Sequence, residues 1–306
     1  MKNWNNLPFE MKEIVVKNMD HITRTCLKLC SKSDKYLVES IPKRFNRVEV
    51  VSTPSPWPYY AVNILVIIDD LKIIKVGDTL KIIRDGRIRM MTLGSKKEAY
   101  ERVMMFMNDI IFKGKVHVED CTIAYLKYPP APFSSNLTLK AEQLDVQSLG
   151  NEDVYKWVKH FTPRTDQLTI VSSDCFKRNC TLVKTLPIVI NAKDIGIEDC
   201  QVDYNNLDWL NANRIRLGFG TVGKFGIHQV IKKWIDKDYP IGSKCRMYFR
   251  PSTTLNELAD GLQNFKRHAN SNIMDSFVFQ MKPTKYMVLW KLDFFTQIEI
   301  IDKLPV

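Results

Sequence analysis

Long apolar runs are missing from this chain of 306 residues: no stretch reaches eighteen, and a bilayer-crossing helix needs about twenty. No membrane partner is expected. The first residues, Met1-Lys2-Asn3-Trp4-Asn5-Asn6, lack the apolar core of a secretory signal, so the expected location is intracellular, in cytoplasm or nucleus. The sequons Asn136-Leu137-Thr138 and Asn179-Cys180-Thr181 are then chance matches. Paired cysteines are missing too. The seven cysteines, at 26, 30, 121, 175, 180, 200 and 245, form no CxxC and no zinc spacing. They read as small buried thiols, and Cys26 and Cys30, one turn apart after His21, read the same way rather than as metal ligands.

Catalytic motifs are also absent. None of His21, His117, His160, His228 and His268 stands in a GxSxG elbow, an HExxH helix or a kinase-type set. Asp69-Asp70 and Glu119-Asp120 are adjacent in sequence, and adjacent residues of a strand face opposite ways. They read as surface or turn acids. No catalytic residue, metal or cofactor is expected, and the chain reads as a non-enzyme. Gly218-Phe219-Gly220-Thr221-Val222-Gly223 matches the GxGxxG string between an expected strand and helix. It sits late, and the next strand leads to Arg250 rather than to an acidic ribose ligand. A tight turn is the favoured reading, with a nucleotide-binding enzyme using this loop as the alternative. The net charge of +11 permits nucleic acid as a partner. The basic residues are spread out, in clusters as short as Lys232-Lys233, which favours a solvated basic surface over a basic nucleic-acid-binding protein.

The first forty-odd residues are present as three short apolar-periodic segments. Leu7-Pro8 opens one, with Pro8 expected at the first helical position and an apolar Leu7 where a polar cap belongs. Met11, Ile14, Val15 and Met19 recur at helical spacing. Asp20 starts a second helix with a stripe of Ile22, Cys26, Leu29 and Cys30, and Ser33 is expected to cap a third carrying Leu37 and Ile41, stopped by Pro42. The pattern then turns to strands. Arg47–Ser52 alternates, Pro54, Pro56 and Pro58 mark a turn, Ile64–Ile68 is a short strand, and Asp85-Gly86 joins Lys81–Arg84 to Arg87–Met90 as a hairpin.

A helix follows, with a Ser95/Glu98 capping box, a face of Tyr100, Val103, Met104, Met107, Ile110 and Ile111, and Gly114 at its end. Short strands at 144–146, 168–170, 195–197, 215–217 and 246–249 recur every 20 to 31 residues or so with helical stripes between them, such as Val154-Trp157-Val158-Phe161 and Ile227-Val230-Ile231-Trp234. A helix over 255–265 capped by Thr254 and Glu257 precedes three antiparallel strands, 276–282, 286–292 and 296–302, turning at Pro283-Thr284. The fold class expected is mixed α+β and α/β: a small three-helix unit (1–44), then an irregular leucine-rich-repeat-like strand–helix domain (45–306) ending in an antiparallel meander. Tyr59-Tyr60, Trp209 and Trp290 read as core or ordinary surface rather than binding anchors.

Leu7-Pro8-x-Glu10-Met11, Ile14-Val15, Met19-Asp20 and Leu27-x-Leu29-Cys30-Ser31-Lys32 resemble an F-box over residues 4–42. Ile227-His228-Gln229-Val230-Ile231-Lys232-Lys233-Trp234-Ile235 is similar to the Leu-Asn-x-Phe-Leu-x-x-Trp-Ile helix of the F-box-associated domain in large nematode F-box families, with His228 where Asn is usual. The first resemblance implies docking on the Skp adaptor of a cullin-RING ubiquitin ligase. Leu7, Pro8, Glu10, Met11, Ile14, Val15, Leu27 and Cys30 would be the adaptor-binding residues, and the second domain would hold an unknown protein substrate. On this reading the purified chain shows no saturable binding of a nicotinamide or adenine nucleotide; binding that Gly220→Val abolishes would reinstate the nucleotide alternative.

Overall fold

The computed structural model describes residues 4–53, 63–111, 115–125, 138–148, 155, 157–172, 186–198, 211–218, 224–248, 266–270, 273–292 and 295–303. A single 3-10 turn at Trp4–Asn6 leads into three helices: Phe9–Lys17 (α1), His21–Lys28 (α2) and Lys32–Ser40 (α3). Pro8 is the N-cap of α1 (φ −53°, ψ 152°) rather than its first helical residue, and it offers no side-chain acceptor to the helix. The carboxylate of Asp20 opens α2 by accepting the Thr23 N–H at 3.0 Å and the Thr23 hydroxyl at 2.7 Å. For α3 the cap is Ser31, whose Oγ accepts the Asp34 N–H at 3.0 Å, and not Ser33, which lies inside the helix. Helix α3 ends at Ile41 (ψ 127°) because Pro42 bars the helical region for the residue before it.

Among the described residues, the remaining chain builds a single fifteen-stranded sheet. Strand β1 (Lys43–Ser52) continues antiparallel into β2 (Ile64–Ile68), β3 (Leu71–Val76), β4 (Thr79–Arg84) and β5 (Arg87–Thr92). On its other side β1 runs parallel to β6 (Lys115–Ala124), and the parallel order continues through β7 (Thr138–Ser148), β8 (Gln167–Ser172), β9 (Asp194–Glu198), β10 (Arg214–Leu217) and β11 (Lys244–Tyr248). Beyond β11 lie β15 (Phe295–Ile301), β14 (Lys285–Leu292), β13 (Ile273–Lys282) and β12 (Lys266–Asn270), all antiparallel. Asp85 (φ 49°) and Gly86 (φ 73°) form the expected two-residue hairpin turn.

Register aligns the core across strands. Val48, Cys121, Leu144, Leu168, Ile195, Ile215, Cys245 and Ile298 stand side by side, as do Val50, Ile123, Val146, Ile170, Ile197, Leu217 and Met247. All are buried. Against this core sits α4 (Lys96–Ile110), capped by Ser95, with its expected inner face of Tyr100, Val103, Met104, Met107, Ile110 and Ile111 buried. Its Glu98 carboxylate accepts the Gly94 N–H at 3.0 Å, one residue upstream of the capping-box bond expected. Trp157, Val158, Phe161, Val230, Ile231 and Trp234 of the two expected stripes are also buried.

Three further expectations need correction. The domain is a mixed sheet made mostly of strands and not a leucine-rich-repeat-like strand–helix array. The 20-to-31-residue spacing comes from crossovers between neighbouring parallel strands, and antiparallel runs flank both ends. Among the described cysteines, Cys26 and Cys30 are exposed, while Cys121 and Cys245 are buried. Of the expected second-helix stripe, Cys26, Leu29 and Cys30 are exposed, while Arg24 and Leu27 turn inward. The prolines at 54, 56 and 58, the residues Tyr59, Tyr60, Gly114 and Trp209, the helix over 255–265 and positions 219–223 of the glycine loop lie outside the described residues.

Met107 has no exposed surface whereas Met105 on the same helix is 61% exposed. Met107→Ala is therefore expected to cost about 2–5 kcal/mol of stability, and Met105→Ala under about 0.5, in urea unfolding of the full chain.

Candidate functional site: an exposed apolar face on the first helix

Helix α1 spends its apolar side chains on two faces. Val16 is fully buried and forms a small separate core with Leu37, Val38 and Ile41, against which Trp4, Met19 and Leu27 pack. Met11, Ile14 and Val15, spaced i, i+3 and i+4, point away from that core and are 50%, 54% and 37% exposed. Phe9 at the helix start, Leu29 just past α2 and Tyr36 on α3 are exposed as well. Burying such side chains would gain about 1.5–3 kcal/mol each, so an uncovered row of them in so small a unit makes this face the candidate site.

Two polar anchors hold this unit in shape. Arg24 is buried, and its guanidinium donates to three backbone carbonyls: Nε to Met19 O at 3.2 Å, Nη2 to Lys17 O and Nη1 to Pro42 O, both at 3.0 Å. It thereby closes the end of α1 and fixes the joint where α3 passes into β1. Burial, with Arg44 nearby, pushes its pKa down from the ordinary value. The second anchor is Asp34. Its Oδ1 accepts the Trp4 indole N–H at 2.8 Å and its Oδ2 the Ser31 hydroxyl at 2.7 Å. These two bonds hold its carboxyl below the usual range. Lys12 sits over the Trp4 ring at 5.6 Å, so the Trp4–Asn6 turn is pinned to both α1 and α3.

Among the residues expected to bind a partner, Pro8, Glu10, Met11, Ile14, Val15 and Cys30 are exposed, Leu7 is half-buried, and Leu27 is half-buried against the small core. Leu27 thus supports the helices from within, and Cys30 closes α2 with its thiol 3.5 Å from Cys26 O. Phe9, one residue into α1, joins the exposed set without having been anticipated. Its exposure reflects its place in the first turn, ahead of the unit's core.

The opposite face of the parallel strands is polar, with Thr122, Asp145, Thr169, Gly196, Arg216, Arg246 and Gln297 in register across β6 to β15. The Arg216 side chain lies across Gly196 and donates from Nη2 to the Thr169 hydroxyl at 3.3 Å. Burial pushes the Asp145 carboxyl up, against the Gln147 amide that donates to it at 2.9 Å. His117 pairs with Glu142 at 3.0 Å. Among the described residues no group of His, Cys, Asp and Glu could hold a metal, and no helix is long and apolar enough to cross a membrane.

Residues 4–46 match the F-box domain family model, which covers the three helices and the start of β1. No curated protein and no solved structure matches the chain.

Asp34 has a folded pKa below its unfolded value of about 3.9. Its charge therefore stabilises the helices above that pH and ceases to do so as pH falls through the lower folded value. Asp34→Asn is expected to speed amide exchange in α3 at pH 7, and the difference from wild type to shrink as pH falls through the lowered pKa. Asp34→Ala, which strands the Trp4 N–H, is expected to cost about 1–3 kcal/mol locally.

Proposed function

We propose that this chain is the substrate-recognition subunit of a Skp–cullin–F-box ubiquitin ligase, docking on the Skp adaptor through residues 1–44 and holding a protein substrate with residues 45–306. The observation that carries the reading is the uncovered Met11-Ile14-Val15 face of α1, lying inside the segment that matches the F-box domain. Around it, Leu7, Pro8 and Glu10 form the entry of the helix, and Cys30 with Leu29 extends the exposed surface from α2. Glu10, in the first turn, also suits the positive end of the helix dipole. Leu27 contributes by holding α2 in place. Through the adaptor the chain would reach a cullin, and it would act by concentrating a substrate beside the ligase rather than by chemistry of its own.

The larger domain is read as F-box-associated, of the kind found in nematode F-box families. Support comes from the helix Lys224–Asp236, where Val230, Ile231 and Trp234 are buried on the sheet and the Trp234 ring stacks on Tyr239 at 4.7 Å. That gives the Trp-Ile end of the helix a packing role. A sheet of fifteen strands offers a broad surface for a protein substrate.

The test is co-purification with a Skp adaptor. Met11→Glu and Ile14→Glu lie on the face turned away from the small core, so the helices should keep their exchange protection. Together they are expected to weaken adaptor binding at least 100-fold. Equal capture of wild type and the double variant would remove this face from the interface, and no capture of wild type would remove the receptor reading.

A further inference from the structure

We infer that the free edge of β5 receives an extended acidic segment of a partner protein, added to the sheet as a further strand. The inference deepens the reading that the sheet holds the substrate and rests on it.

Strand β5 ends the sheet order, and among the described residues nothing pairs with its outer side. Arg84 and Arg87 flank the two-residue turn as a bonded pair, so Arg89 and Met91 bond to β4 in the same manner, opposite Ile82 and Leu80. Ile88, Met90 and Thr92 therefore turn their N–H and C=O groups outward, three ready ladder positions for another strand.

The side chains say which strand. On the face away from α4, two rows cross the antiparallel strands and break off at β5: Val51, Leu65, Ile74, Lys81 and Met90, and then Ile67, Lys72, Ile83 and Ile88. The last member of each row is bare, Met90 at 66% and Ile88 at 59% exposed, while Ile74 and Ile83 further in are half-buried. An added strand would flank both with apolar side chains. On the α4 side, Arg87 and Arg89 are exposed, and their guanidiniums make no ion pair or hydrogen bond among the described residues. The alternate side chains of an added strand fall beside these two guanidiniums, which bind carboxylates well. A second copy of β5 would set arginines against arginines, so the edge rejects self-pairing. The fitting occupant alternates acidic and apolar residues.

The test uses the full chain and a fluorescein-labelled eight-residue peptide alternating glutamate and valine, read by anisotropy in low salt, beside the same peptide with lysine for glutamate. The expected result is saturable binding of the acidic peptide only, weakened at least 10-fold in Arg87→Glu/Arg89→Glu. Amide exchange should slow at Ile88 and Met90 and stay unchanged at Arg87 and Arg89. Met90→Pro, which removes one outward N–H and leaves the β4 ladder intact, should weaken binding as much. Equal binding of the two peptides, undiminished binding by the arginine double variant, or no binding of the acidic peptide at millimolar concentration overturns the inference. Adaptor capture of the same proteins is read in parallel. It stays intact in the arginine variant, and its absence in wild type strikes the receptor reading, while the peptide result alone decides the edge site.

Discussion

A strand has two hydrogen-bonding sides, and β1 fills both: β2 lies antiparallel on one and β6 parallel on the other. Everything else is attached through that choice. The Lys43 ammonium at its start donates to the carbonyls of Asp109 and Ile110 at 2.8 and 2.7 Å, closing the end of α4 over the core. Asp69, in the β2–β3 turn with φ 51°, turns its Oδ1 back to the N–H groups of Asn46 and Arg47 at 2.8 and 3.0 Å. Arg24 reaches the carbonyl of Pro42, immediately before the strand. Helices, hairpins and parallel ladder thus all meet on ten residues of backbone.

This attachment explains why the face of α1 is free. The three helices bury only a small core of their own, separate from that of the sheet, and a unit of this size depends on specific polar anchors to hold its shape. Arg24 and Asp34 supply them by bonding groups that helix ends and an indole would otherwise leave unpaired. With Val16 committed to the inside, Met11, Ile14 and Val15 stay outside, since at about 100° per residue they lie about 140°, 160° and 100° around the helix from it.

What could be read from residues alone was local chemistry with one good solution. Asp85-Gly86 specified a turn because both positions accept positive φ, and Ser95 marked the start of α4 because its hydroxyl has one N–H to meet. Strand positions 144–146, 168–170, 195–197 and 215–217 were legible as short β-rich runs. Illegible were choices with two chemically similar answers. Ser31 and Ser33 both suit a cap. An eight-residue helix completes barely two turns, so α2 fits two stripes, and the inward one begins with a charged residue that becomes acceptable only when three carbonyls surround it. Strand spacing did not separate a repeat array from one parallel sheet, because both return the chain at similar intervals. The exposed face showed in the apolar residues of α1, but Phe9 did not, since a residue in the first turn projects ahead of the core that would otherwise claim it.

The strand order is also a ruler. Neighbouring strands lie about 4.8 Å apart, so measured along the sheet the β5 edge is about 20 Å from β1 and the β12 edge about 48 Å. The helical unit is therefore off-centre, fastened near one end of a long plate. Arg84 of the β4–β5 hairpin even comes within 3.9 Å of Asp20 at the start of α2. Since Arg24 holds the Pro42 carbonyl at the joint, the near edge is tied to the helices through five strands of backbone ladder, and the far edge only through eleven.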